Sequence, residues 1–103
     1  MAKSIRKRWY VYRSKRRLSP LHSLCGYWKC GFESPPVRIF RISQGYRISF
    51  EYPLGAVTIP IRYKQGIIEA NLFGCMEIAY DGINDRLLIA EEGTYFRDED
   101  REQ

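Results

Sequence analysis

Strict alternation of apolar and polar residues, repeated between closely spaced turn residues, constrains the fold of this chain most. Residues 46–52 place Tyr, Ile, Phe and Tyr on one face and Arg, Ser and Glu on the other, and residues 57–63 repeat the pattern. This period of two, with many β-branched and aromatic residues, is typical of a half-buried strand. Pro60 has no N–H to donate, so its strand is expected at a sheet edge or with a bulge there.

Turn residues punctuate the rest of the chain at similar intervals. Clusters of Gly, Pro, Asn, Asp or Ser occur at 43–45, 53–55, 64–66 and 81–85. With a first strand around 27–32, they separate about eight short strands at a spacing typical of a sandwich or barrel. Short connections favour antiparallel neighbours, and closing the meander removes exposed edges. We therefore predict an all-β fold, a small antiparallel up-and-down barrel.

The expected interior of this barrel is bulky, which favours a packed core over a ligand cavity. The residues expected to point inward are Trp28, Val37, Ile39, Tyr46, Ile48, Phe50, Val57, Ile59, Ile61, Leu72, Ile78, Leu87 and Ile89. Tyr52, Tyr63 and Tyr80 lie near strand ends and are the candidate ligand-binding residues if the barrel instead takes a small apolar ligand. We favour a second interpretation, in which they cap the core with their hydroxyls in water.

The positive charge is concentrated at the start of the chain. The net charge is +5, but residues 1–20 hold eight cations and no anion, whereas the remaining residues hold nine cations and twelve anions, a charge of −3. We therefore predict a basic, flexible arm over 1–20, a barrel domain over 21–98 and an acidic, frayed C-terminus over 99–103.

The arm is the strongest functional signal, because it interleaves cations with aromatic residues. Cations displace counterions from phosphates, and aromatic faces stack on unpaired bases, so the pattern suits nonspecific contact with DNA or RNA. The predicted contact residues are Arg6, Lys7, Arg8, Trp9, Tyr12, Arg13, Lys15, Arg16 and Arg17. Four alternatives stay open: a solvated tail, an extra strand over Trp9–Tyr12, an acidic protein partner, and an anionic membrane surface.

Chemistry at a metal or catalytic site is not expected. His22, Cys25 and Cys30 lack the second ligand pair typical of zinc, and we interpret the cysteines as small apolar residues. The sole His has no partner for nucleophilic catalysis. Asp81 and Asp85 bracket a turn that explains both. We predict no enzyme, no cofactor and no metal.

The sequence also predicts where the protein works. No apolar run reaches the roughly 18–20 residues of a membrane span, and no apolar segment follows the basic start as in a signal peptide. Three cysteines, an odd number, favour reduced thiols and a cytoplasmic protein.

Several short motifs resemble those of small lipocalin-like barrels. They are Leu24-Cys-Gly-Tyr-Trp28, Gly45-Tyr46, Tyr80-Asp81, Asp85-Arg-Leu-Leu88 and Gly93-Thr-Tyr-Phe-Arg97. In such barrels the first motif places its Trp across the barrel floor. More narrowly, residues 21–98 resemble a domain family of unknown function associated with bacterial conjugative transposons. The resemblance implies a fold and a mobile-element setting but no activity.

Together these observations predict a non-enzymatic accessory protein whose nucleic-acid contact rests on residues 1–20. The alternative is a barrel that binds a small apolar ligand or a protein partner, although a small-molecule ligand is not the expected partner. Residues 98–103 carry four acids and could pair with the arm in cis, competing with nucleic acid.

Overall fold

Eight antiparallel strands form a closed barrel in the computed structural model, which describes residues 20–31, 33–71 and 74–101. The all-β barrel prediction is therefore confirmed. The strands are β1 (Gly26–Lys29), β2 (Val37–Ile42), β3 (Gly45–Tyr52), β4 (Gly55–Lys64), β5 (Ile67–Asn71), β6 (Cys75–Asp81), β7 (Arg86–Ile89) and β8 (Gly93–Arg97). Two 3-10 turns flank them, an N-terminal turn (Pro20–Leu24) and a C-terminal turn (Glu99–Arg101). The basic arm and its possible strand at Trp9–Tyr12 lie outside the described residues.

Each strand pairs with the next one in sequence, and β8 returns to β1 with Trp28 opposite Arg97. The connections are tight, as the turn residues indicate. Between β4 and β5, Gln65 and Gly66 both have positive φ angles of 54° and 85°, the combination that suits a two-residue hairpin turn. The first strand ends at Lys29, earlier than expected, and the connection to β2 continues along the barrel end, where Pro35 accepts a 2.8 Å hydrogen bond from the Tyr95 hydroxyl.

Pro60 shows how a closed barrel accommodates a proline without an edge strand. The expectation of an edge is wrong, since β4 pairs with β3 on one side and β5 on the other. The β3–β4 register runs without interruption past the Pro60–Arg47 pair, so no bulge forms there. The ladder with β5 begins only at Ile61. Pro60 therefore lies just outside the β4–β5 ladder, so its missing N–H costs that ladder no hydrogen bond.

Side chains fill the barrel interior much as the alternation predicts. Ten of the expected inward residues are buried, Val57 and Ile59 are half-buried, and Leu72 lies outside the described residues. Four further residues complete the core: Leu21, Leu24, Ala70 and Tyr95. These additions come from the N-terminal turn and from short strands whose alternation spans too few residues to recognise.

The N-terminal turn packs Leu21 and Leu24 into the core at the end of the barrel where β1 begins. Its Leu24 carbonyl accepts a 2.8 Å hydrogen bond from the indole Nε1 of the fully buried Trp28. The β2–β3, β4–β5 and β6–β7 connections lie at this same end, which we call the turn end. The opposite, loop end carries the other strand connections. The turn therefore closes one end of the barrel with apolar side chains.

Candidate nucleic-acid interface

A set of cationic and aromatic side chains shares the outer surface of β1–β4. Val37 and Ile39 point into the core, so the alternating residues Arg38 and Phe40 point outward. Arg38 lies opposite Tyr27 of β1, and Phe40 lies opposite Arg47 of β3. Residues directly opposite in a ladder share a face of the sheet. We call this outer surface the arginine face; its members are Tyr27, Arg38, Phe40, Arg47, Arg62 and Arg101. Arg41 lies opposite the core residue Tyr46 and is therefore on the inward side of β2, at the rim of the turn end.

The rings and guanidinium groups of this face alternate in space. The Arg38 guanidinium lies 4.6 Å from the Phe40 ring centroid and 5.4 Å from that of Tyr27, and the Arg101 guanidinium lies 4.4 Å from the Tyr27 ring. Arg101 is held by Glu51, whose two carboxylate oxygens accept bonds of 2.8 and 3.4 Å. Cation–π contacts of this kind hold the guanidinium planes against the rings and orient their N–H groups.

Most arginines on this face belong to no ion pair of the described part of the chain, although Arg62 has Glu69 directly opposite it in the β4–β5 ladder. Among the described residues, the ion pairs are Lys29–Asp98, Arg86–Asp81, Arg97–Asp85 and Arg101–Glu51. Arg38, Arg47 and Arg62 take part in none of these pairs. The arginine face is therefore a surface of net positive charge on a domain whose total charge is negative.

Two depressions mark the arginine face. One, of about 330 Å³, lies between β1, β2 and the C-terminal turn and is lined by Tyr27, Arg38, Phe40, Arg41 and Arg101, among others. The other, of about 480 Å³, crosses β3–β5 and is lined by residues that include Arg47, Arg62 and Glu69. The first has three guanidinium groups and no carboxylate in its lining, so it is the more favourable of the two for an anion.

The predicted nucleic-acid residues of the arm, Arg6 to Arg17, all lie outside the described residues. The three tyrosines proposed for a ligand mouth are described, and the structure does not bring them together. Tyr52 lies at the loop end and stacks on Phe50 with a centroid distance of 6.4 Å. Tyr63 and Tyr80 lie at the turn end, where Tyr63 is exposed. A single opening lined by all three is therefore not formed.

A cluster of polar side chains at the turn end, centred on Arg97 and Asp85, holds neighbouring elements of the barrel together. Arg97 makes a two-pronged ion pair with Asp85, at 2.9 and 2.8 Å, and its guanidinium lies 4.2 Å from the Trp28 ring. It also donates to the backbone carbonyls of Cys25 and Ser23. These contacts join β8, the β6–β7 turn and the N-terminal turn.

Protonation of this cluster follows from its contacts. The Arg97 guanidinium, and to a smaller extent the Tyr80 hydroxyl that donates a 2.8 Å bond, lower the pKa of Asp85 to about 2. Asp81 receives bonds from Asn84, from Arg86 and from the backbone of the turn, which also lower its pKa to about 2. Both carboxylates are ionised at neutral pH. Asp81 accepts bonds from the backbone of the turn, as the turn interpretation predicts, whereas Asp85 pairs with Arg97 of β8.

The three cysteines and His22 differ in how exposed they are to solvent. His22 and Cys75 are exposed, and Cys25 and Cys30 are half-buried and free. Within the described ranges, no group of three or more His, Cys, Asp and Glu side chains comes together as metal ligands. Burial raises the pKa of the Cys25 thiol, so it stays neutral at pH 7 and does not offset the arginines beside it. No helix in the described part of the chain is long and apolar enough to cross a membrane.

Comparison with known proteins finds no match for this chain. No protein-family model matches the chain, and neither a curated protein nor a solved structure matches it at a significant level. The resemblance to small lipocalin-like domains of conjugative transposons therefore stays a prediction based on short motifs.

The arginine face is the feature that sequence reasoning missed. Alternation alone places Arg47 and Arg62 on the side opposite the core, so their outward position is predictable from the sequence. The grouping of Tyr27, Arg38 and Arg101 depends on the β1–β2 register and on the position of the C-terminal turn, which one sequence does not reveal.

Proposed function

We propose that the protein is a non-enzymatic accessory module that contacts nucleic acid nonspecifically through the basic arm (1–20) and the arginine face. The observation that carries this proposal is the clustering of Arg38, Arg47 and Arg62 on one outer surface, outside every ion pair of the described residues. Unpaired cations on one surface attract phosphates, and each phosphate contact releases a condensed counterion. The arm adds eight cations to the same molecule.

The proposed setting is the cytoplasm of a bacterium that carries a mobile element. The motif resemblance to conjugative-transposon domains supports it, and the unpaired cysteines are compatible with a reducing compartment. Transfer and replication of a mobile element expose nucleic acid to accessory proteins, so nonspecific affinity is a useful property there.

A non-enzymatic role fits the perturbed groups of the barrel. Strongly shifted pKa values can mark catalytic residues, but they also arise in structural ion-pair networks. Asp81 and Asp85 are shifted by bonds that close a turn and join three elements. Their protonation behaviour therefore supports the barrel as a scaffold.

The first prediction tests the arm and the arginine face separately, with two variants that each remove three positive charges from one of them. Titrate a fluorescent oligonucleotide at about 50 and 200 mM salt with the full chain, with R6Q/K7Q/R8Q and with R38Q/R47Q/R62Q. Each triple variant removes three charges, so each is expected to reduce the slope of log K against log salt by about 2 on a single strand.

The control for the first prediction is E33Q/E77Q/E91Q, which raises the net charge by three at residues that belong neither to the arm nor to the arginine face. If binding needs contacts at the arm and the arginine face, this variant keeps the wild-type slope. A change of equal size in all three variants, with the control changed in the opposite direction, would indicate a bulk charge effect. Absence of binding by the full chain at low salt would overturn the proposed function.

A further inference from the structure

The depression between β1, β2 and the C-terminal turn combines charge with aromatic surface. Its cationic lining consists of Arg38, Arg41 and Arg101, and the half-buried rings of Tyr27 and Phe40 lie between them. Among the described residues only Arg101 is paired, with Glu51, so within that part of the chain two positive charges have no carboxylate partner. The neutral Cys25 thiol at its edge adds no negative charge.

Duplex binding needs cations alone, because phosphates are what a duplex presents along its outside. Aromatic rings beside those cations hold the guanidinium groups in place, and they gain a direct contact with the ligand where bases are unpaired, since each base then offers a face for stacking. Here every ring of the depression lies within 5.4 Å of a guanidinium. The Arg38 guanidinium lies over the Phe40 ring, so a base reaches that ring when Arg38 turns from it to a phosphate of the same nucleotide unit.

We infer that this depression binds single-stranded nucleic acid, with Arg38 and Arg41 on a phosphate and Phe40 against an unpaired base. This inference rests on the proposed function and narrows it to one nucleic-acid form and one site. Arg101 has a positioning role, because its pairing with Glu51 holds it over Tyr27.

The test compares three ligands with the full-length chain: a labelled thymidine single strand, a duplex of the same length, and an abasic single strand that keeps the phosphates. The wild-type protein is expected to prefer the thymidine strand over both others. This comparison needs no substitution, so it does not depend on how a variant folds.

Two variants then assign the roles. Phe40→Leu keeps apolar volume but removes the ring, and it is expected to weaken thymidine-strand binding about tenfold while leaving the abasic strand unaffected. Arg41→Gln is expected to weaken both strands, and more than the matched single-charge control Arg62→Gln, which lies outside the depression.

The outcomes distinguish this inference from the proposed function. Equal affinity for single strand and duplex, with no effect of Phe40→Leu, overturns the single-strand site and leaves nonspecific phosphate contact standing. Equal losses from Arg41→Gln and Arg62→Gln likewise overturn the assignment to this depression. Absence of any binding at low salt overturns the proposed function itself.

Discussion

Arg97 joins several separate elements at the turn end of the barrel through its polar contacts. Its guanidinium pairs with Asp85, bonds two backbone carbonyls before β1 and lies over Trp28. Its side chain is 19% exposed, whereas that of Asp85 is 43% exposed. The guanidinium thus satisfies carbonyls that the strand ladders leave unpaired, and the pair itself is partly screened by water.

The Asp85→Asn variant tests this residue-scale network. An amide cannot accept both guanidinium bonds as a carboxylate does, so the free energy of unfolding at pH 7 is expected to fall by about 1 kcal/mol after allowance for solvent screening. Urea unfolding followed by tryptophan fluorescence measures the change. The exposed Glu33→Gln serves as the control and is expected to leave stability unchanged.

The pH dependence of the stability of Asp85→Asn tests the Arg97–Asp85 ion pair more specifically than its stability at pH 7. In the folded state Arg97 lowers the pKa of Asp85 to about 2 from its ordinary 3.8. A lowered pKa stabilises the fold above the unfolded-state value, and this contribution is lost as pH falls through the folded-state value. The stability difference between wild type and Asp85→Asn is therefore expected to shrink from pH 4 to pH 2. A constant difference across that range would contradict the assigned ion pair.

At the scale of elements, the strands were predictable and the N-terminal turn was not. Alternation and turn chemistry report directly on strands that bury one face, as in β3, whose predicted core residues are buried. The segment 20–24 spans a single 3-10 turn with only Leu21 and Leu24 apolar, and so short a pattern has no recognisable period. Its role depends on tertiary contact with Trp28, a relation that local sequence does not encode.

Leu24→Ala tests whether this turn is part of the folded core. Leu24 is fully buried, so removing its side chain leaves a cavity against Trp28 and is expected to cost about 2–4 kcal/mol of unfolding free energy. Leu54→Ala removes the same atoms from a side chain that is 101% exposed and is expected to cost less than about 0.5 kcal/mol. Thermal unfolding of both variants compares them directly. Similar losses in the two would show that the turn is not required.

At the scale of the whole molecule, charge is divided between two halves of the barrel. Residues 37–64, which contain β2–β4, hold five cations and one anion, a charge of +4. Residues 65–95 hold one cation and six anions, a charge of −5. The summed charge of residues 21–103 predicted a mildly acidic domain. That sum does not show where the charges lie, because opposite charges that cancel in a total remain separate in space. The field at the surface depends on their separation.

Removal of residues 1–19 tests whether binding depends on the total charge or on the local charge of the barrel surface. It deletes all eight arm cations and changes the net charge from +5 to −3. If total charge governed binding, this shortened chain would repel nucleic acid. We expect it to retain single-strand binding at low salt with a slope of log K against log salt of about −2, as three phosphate contacts require. Circular dichroism confirms that the shortened chain is folded, and Arg38→Gln with Arg47→Gln should then abolish the remaining binding. A folded, shortened chain that binds nothing would assign all contact to the arm and none to the arginine face.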